Sequence, residues 1–269
     1  MNKTLTILAI LVVVFGCKSN TQQGEKGYHQ EKEEDGISMS SGGITLTEAK
    51  SLPITDAKLE INYPKNGGVY EKVTSFDFDV SNYELGSQTE DENATHCANS
   101  AKGQHIHLIL NNSPYTAHYE EDFVKEIEDG RYIGLAFLSR SYHESVKTKD
   151  AYQLFNFSVG KEQDLLDFDE QAPHLFYSRP KGTYTGKDTK HVLLDFYLTN
   201  VDLSENGYKV EAVINGESFI LTKWVPYIME GLPLGENTLE LKLIDGEGNL
   251  VESPFNPVKR KVVLEAEAS

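Results

Sequence analysis

The strongest constraint on this chain is a faint internal repeat. A pattern first met between residues 57 and 160 returns between 173 and 266 in the same order. Pro64-Lys65-Asn66-Gly67 matches Pro180-Lys181-Gly182. Ser75-Phe76-Asp77-Phe78, with Asn82 and Leu85, matches Leu193-Leu194-Asp195-Phe196, with Asn200 and Leu203, at an offset of 118. The stretch His105 to Leu110, followed by Asn111-Asn112, matches Lys209 to Ile214, followed by Asn215-Gly216, at an offset of 104. Gly130 and Leu138 match Gly235 and Leu243 at an offset of 105. A chain built this way must fold as one unit used twice.

Both copies read as short strands. Apolar and polar residues alternate and are broken by Gly, Asn, Asp and Pro, as in Leu239-Glu240-Leu241-Lys242-Leu243 before Asp245-Gly246. Neither copy sustains the 3.6-residue period of a helix. All-β units of this length and strand spacing predict two tandem immunoglobulin-like β-sandwiches. The expected domains are 57–160 and 173–266, joined by an acidic linker at 161–172 with one short helical turn around Leu165 and Phe168.

The segment before the repeats reads as an export signal. Lys3 precedes the apolar run Leu5 to Phe15, which is too short to span a bilayer. The run ends in Val14-Phe15-Gly16-Cys17, which resembles a lipobox, the site where a cysteine is acylated and becomes the mature N-terminus. The expectation is a signal peptide at 1–16, lipid attachment at Cys17 and a disordered tether over the rest of 17–56, placing the protein at the bacterial outer membrane. With Cys17 acylated, Cys97 is left as a lone thiol. The formal charge of −17 argues against a nucleic-acid partner, since phosphate binding needs a basic stripe.

The copies differ in two places. The drop in offset from 118 to 104 puts a 14-residue insertion within Gly86 to Gly103 of the first copy. The neighbouring hairpin also differs. Laying the two-residue Asn215-Gly216 turn onto Asn111-Asn112 points Ile106 and Leu108 inward and His105 and His107 outward. It places His118 opposite His105, and pairs Pro114 with Ile109. Three imidazoles on one face can ligate Zn or Cu, with His96, Cys97 or His143 as a fourth ligand. The first repeat carries −7 over 57–160 against −2 over 173–264 of the second, and this acidity favours a cation. The alternative is that these histidines are solvated, or that their face packs against the second repeat.

Ser139-Arg140-Ser141-Tyr142-His143-Glu144 holds Ser, His and acid close together but lacks a nucleophile-elbow signature. Arg140 and His143 are instead candidates to hold an anionic ligand. Trp224 reads as a packing residue.

The whole mature chain resembles two-repeat immunoglobulin-like lipoproteins of Bacteroidetes-type bacteria, some labelled phosphopeptide-binding. The residues carrying the resemblance are Cys17, Gly103-Gln104-His105-Ile106-His107-Leu108, Ala136 through Glu144, and Leu221-Thr222-Lys223-Trp224-Val225-Pro226-Tyr227. The Gly-x-His-x-His-Leu strand is also similar to an exported bacterial domain of unknown function. The resemblance implies a non-catalytic envelope lipoprotein whose first repeat binds a peptide or protein ligand, a phosphopeptide among them. The competing expectations are a periplasmic Cu/Zn-binding protein and, more remotely, a hydrolase.

Overall fold

The computed structural model describes residues 29–33, 36–161 and 168–267. The signal segment, Cys17 and Leu165 lie outside the described residues.

The first unit contains β4 (Lys58–Tyr63), β5 (Gly68–Tyr70), β6 (Val73–Ser81), β7 (His105–Leu110), β8 (Thr116–His118), β9 (Asp122–Glu126), β10 (Gly130–Ser139) and β11 (Tyr152–Val159). The second repeats this plan as β12 (His174–Arg179), β13 (Gly182–Thr185), β14 (Val192–Thr199), β15 (Lys209–Ile214), β16 (Glu217–Leu221), β17 (Tyr227–Glu230), β18 (Gly235–Ile244) and β19 (Val258–Glu265). In the first unit a three-stranded sheet, β4-β6-β9, faces the five-stranded sheet β5-β11-β10-β7-β8. In the second, β12-β14-β17 faces β13-β19-β18-β15-β16. The molecule is therefore all-β, two immunoglobulin-like sandwiches, as the alternation predicts. Small details repeat with the strands. Asn82 and Asn200 are both left-handed, as are Asn111 and Asn215.

Part of the expected tether is folded. Three strands precede the first sandwich: β1 (His29–Glu33), β2 (Gly36–Ser41) and β3 (Ile44–Glu48). They extend the sheet of the second sandwich, where β3 pairs antiparallel with β17. The segment 36–48 alternates apolar and polar residues, and Met39, Ile44 and Leu46 enter the second core. Its polar composition hides a strand that buries one side chain in two.

Each sandwich has its own core. Phe76, Phe78, Ile106, Leu108, Leu138 and Phe157 belong to the first, and Phe196, Val210, Ala212, Phe219 and Leu241 to the second. A third cluster joins them. Ile109, Ile133, Leu135 and Phe137, from the outer face of β7 and β10, and Tyr115, just before β8, pack with Phe176 and Tyr197 from β12 and β14. The rings of Phe137 and Tyr197 stack at 4.8 Å. Buried polar contacts hold the two units in place. Asp195, wholly buried, accepts hydrogen bonds from the Ser145 backbone and hydroxyl at 3.2 and 3.1 Å and pairs with Lys147. Because this junction covers its outer face, β7 is buried on both sides.

Candidate metal centre

The hairpin that carries the histidines departs from its twin by one residue. Asn111 and Asn112 both have φ near +50°, the conformation a two-residue turn requires, and Ser113 N–H donates to Leu110 O at 2.9 Å. Beyond that point Leu108 faces Thr116, so the returning strand contains one extra residue at Pro114-Tyr115. Proline has no N–H to give a ladder, and a bulge absorbs it. A one-residue slip moves every later side chain to the opposite face. His118 therefore lies opposite Ile106, not His105. Its ring stacks on Phe123 at 3.4 Å and bonds Thr116 at 2.7 Å. His118 is excluded from the cluster, and Tyr115 takes its place on the histidine face.

The third imidazole comes from the turn between β10 and β11. His143 N–H donates to Arg140 O at 2.9 Å, and Arg140 N–H to Glu144 O at 2.8 Å. This geometry puts His143 at φ +74°, a region that glycine favours. The second unit makes the same turn, with Gly248 bonded to Asp245 and Asp245 to Asn249. Gly248, at φ +88°, stands where the first unit has His143. A histidine kept at a glycine position, at a cost of about 1 kcal/mol, suggests a function for its side chain.

The inserted segment fixes that turn. The gap between β6 and β7 is 14 residues longer than that between β14 and β15, as the offsets require, and it includes the short helix α1 (Asn93–His96). Thr89 N–H donates to Ser141 Oγ at 3.1 Å, and Ser141 N–H to Thr89 Oγ1 at 3.0 Å. Arg140 is buried between Asp91 at 3.6 Å and Glu144 at 3.5 Å and donates to Leu52 O. Tyr142 donates to Asp91 at 2.9 Å. The charge of Arg140, expected to hold an anionic ligand, is thus already paired with two carboxylates. The segment ends at Gly103, φ +83°, whose backbone runs against Gly86 too closely for a side chain.

Three ring nitrogens converge. His105 Nε2 lies 2.8 Å from His107 Nε2 and 3.1 Å from His143 Nδ1, and His107 Nε2 lies 3.4 Å from His143 Nδ1. A tetrahedral metal about 2.05 Å from each nitrogen needs them roughly 3.3 Å apart. A hydrogen bond sets the His105 tautomer. His105 Nδ1–H donates to Gly103 O at 2.8 Å, leaving Nε2 with a lone pair. Tyr115 Oη lies 3.3 Å from His143 Nδ1, the donor between them depending on the His143 tautomer. A proton in the centre must then sit on His107 or His143. On His107 it leaves the buried Nδ1, which has no partner, as an orphaned acceptor. A metal ion replacing that proton satisfies all three lone pairs together. Among the described residues this is the one group of three or more His, Cys, Asp or Glu with ligand atoms within 4.8 Å of one another.

The environment keeps these rings neutral. Burial holds His105 down at about 4. Burial, then the charge of neighbouring His105, holds His107 well below its ordinary range. Burial, then Arg179, does the same for His143. The field comes from the second unit and is positive. Lys181 Nζ donates to Tyr115 O at 2.6 Å and sits 3.9 Å from its ring centroid. Arg179 lies 5.4 Å from that ring and donates to Tyr184 Oη at 2.7 Å. Among the described residues, the charged side chains acting on the three rings are these two cations and not the expected acids. Tyr115 stacks on His107 at 3.5 Å, Phe137 meets His107 edge-on at 5.1 Å, and Tyr119 lies 5.0 Å from His105.

The other expected ligands are elsewhere. Cys97 is buried with Tyr142 and Leu193, and burial pushes its thiol up to about 12. His96 pairs with Glu92 at 3.7 Å and is half exposed. Ser139 Oγ–H donates to the carbonyls of Arg140 and Glu144, so no Ser-His-acid relay is assembled. Trp224 packs on Tyr197 and donates to Phe196 O at 2.9 Å. Tyr115, Arg179 and Lys181 were not foreseen as parts of the site. The repeat held a signal for His143, the glycine at 248.

No protein-family model matches the sequence, and no curated protein does. Among solved structures, the chain is similar to the fibronectin(III)-like modules of Clostridium thermocellum CbhA, with 11% identity over 77% of this chain and 94% of that one, at a TM-score of 0.28. A Bacteroides ovatus mixed-linkage glucan utilization protein, SGBP-B, solved with a mixed-linkage heptasaccharide, matches at 12% identity over 77% of this chain and 47% of that one, TM-score 0.22. A two-domain fibronectin type-III segment of chicken tenascin matches at 10% identity over 77% and 98%, TM-score 0.20. The assignment of two immunoglobulin-like sandwiches rests on the strand order itself.

Proposed function

We propose that this protein is a non-catalytic, lipid-anchored envelope protein whose first sandwich binds one transition-metal ion, Zn or Cu, through His105, His107 and His143. The carrying observation is the convergence of three ring nitrogens, His105 Nε2, His107 Nε2 and His143 Nδ1, each within 3.4 Å of the other two. Imidazole suits both metals. The two sandwiches, 57–160 and 173–266, divide the work, the first supplying ligands and the second covering them. A phosphopeptide reading is less favoured, because Arg140 is already paired with Asp91 and Glu144. Binding is favoured over hydrolysis because Ser139 and Ser141 are held by the turn and the inserted segment. Attachment through Cys17 to the outer membrane is supported by the sequence pattern around it.

The test is metal titration of the full chain, prepared metal-free, by calorimetry and elemental analysis. One Zn(II) or copper ion per chain is expected, weakened at least about 100-fold in His107→Ala. No binding by the unmodified chain, or binding indifferent to His107→Ala, overturns the reading.

A further inference from the structure

We propose that the resident ion is monovalent copper, held by three nitrogens alone, and that Lys181 and Arg179 of the second sandwich enforce that choice. The proposal rests on the metal-binding reading above and adds the identity and charge of the ion.

Two observations point the same way. The first is coordination number. Protein sites for Zn(II) supply four ligands, or three and a water. Here no carboxylate or thiolate joins the three histidines among the described residues. Asp91 and Glu144 are turned to Arg140 and Tyr142, and Cys97 lies in a separate apolar cluster. His105 and His107 are fully buried against Tyr115, Tyr119 and Phe137, and His143 is partly exposed. Cuprous ion, a closed-shell monocation, is satisfied by three nitrogens without water.

The second observation is the local field. Tyr115 is sandwiched, with His107 stacked at 3.5 Å on one face and Lys181 Nζ 3.9 Å from the ring centroid, necessarily on the other. Arg179 is more than nine-tenths buried beside the same ring, and has no carboxylate within 4 Å among the described residues. Its Nε is buried without a partner. Lys181 Nζ, across the Tyr115 ring, stands roughly 7 Å from the His107 ring. At an effective dielectric of about 20, a charge at that distance penalises a second positive charge on the metal by roughly 30-fold in affinity, and solvent around the partly exposed Lys181 lowers this towards tenfold.

The experiment compares affinities of the full chain for Cu(I), by anaerobic competition with bicinchoninate, and for Cu(II) and Zn(II), by competition with nitrilotriacetate. The unmodified chain is expected to prefer Cu(I) over Zn(II) by about 100-fold or more. Lys181→Met is expected to narrow that ratio roughly tenfold at unchanged stoichiometry, and Lys181→Arg to restore it. Zn(II) or Cu(II) binding as tight as Cu(I), or a ratio unmoved by both Lys181→Met and Arg179→Met, overturns the proposal while leaving a metal site standing. Failure to bind any of the three ions overturns the site itself.

Discussion

In the second sandwich Glu211 on β15 pairs with Lys242 on β18 at 3.0 Å and accepts a hydrogen bond from Ser218 at 2.7 Å. In the first sandwich the same two strand positions hold His107 and Phe137, in ring contact and buried. Both units carry the same strands in the same order, so the difference lies in what covers the outer face. Solvated in one copy, that face takes an ordinary cross-strand ion pair. Covered by the partner sandwich in the other, it is buried, and neutral imidazoles are tolerated there where charged side chains are not. Duplication supplied the scaffold, and packing one copy on the other made room for chemistry.

The largest effect that separates the two faces should come from acid. In the metal-free protein the three clustered histidines are neutral when folded but take a proton near 6.5 when unfolded. The unfolded chain then binds more protons, so stability rises with pH in this window. The stability is complete above about 6.5 and is lost as pH falls towards about 4, the folded value of His105. Urea unfolding at a series of pH values should give a slope of about 1.4 kcal/mol per pH unit for each histidine that titrates. A flat profile between 6.5 and 4.5 contradicts the buried neutral cluster.

Arg140→Met should come next. It leaves Asp91 and Glu144 as buried charges without their cation, at a cost of about 3–5 kcal/mol. Asp245→Ala, at the matching and exposed turn of the second unit, should cost within about 1 kcal/mol. Chemical denaturation of both variants measures the contrast.

His143→Gly converts the first turn into a copy of the second. Metal affinity should fall at least about 100-fold, or roughly 2.7 kcal/mol, while stability moves by no more than about 1 kcal/mol because left-handed strain is relieved. Retained affinity in this variant removes His143 from the site. The smallest effect belongs to His118→Ala. With its ring stacked on Phe123 away from the cluster, metal affinity should change less than about twofold, measured by the same titration. A large loss would restore the register in which His118 faces His105.

Much of this was legible from local pattern. Strand alternation, the Asn111-Asn112 turn and the length of the insertion follow from rules that act over a few residues, and His105 and His107 stand on one face because β-strand side chains alternate. The misreadings share a different cause. His118 was misplaced because Pro114 forces an extra residue into the returning strand, which the twin hairpin does not contain. Arg140 looked available because its two carboxylates lie 49 residues before it and one turn after it. The hairpin at 36–48 looked like tether because the strand it needs, β17, comes about 180 residues later.

By itself, then, the sequence determined the two β units, their turns and the pair of histidines on β7, since each depends on backbone preference and the alternation of neighbouring side chains. Only the tertiary structure decided that the pair is buried, that its third member is His143, and that the charges nearby are Lys181 and Arg179. Those are contacts between segments distant along the chain, selected by which apolar faces bury one another, and no local periodicity encodes that choice.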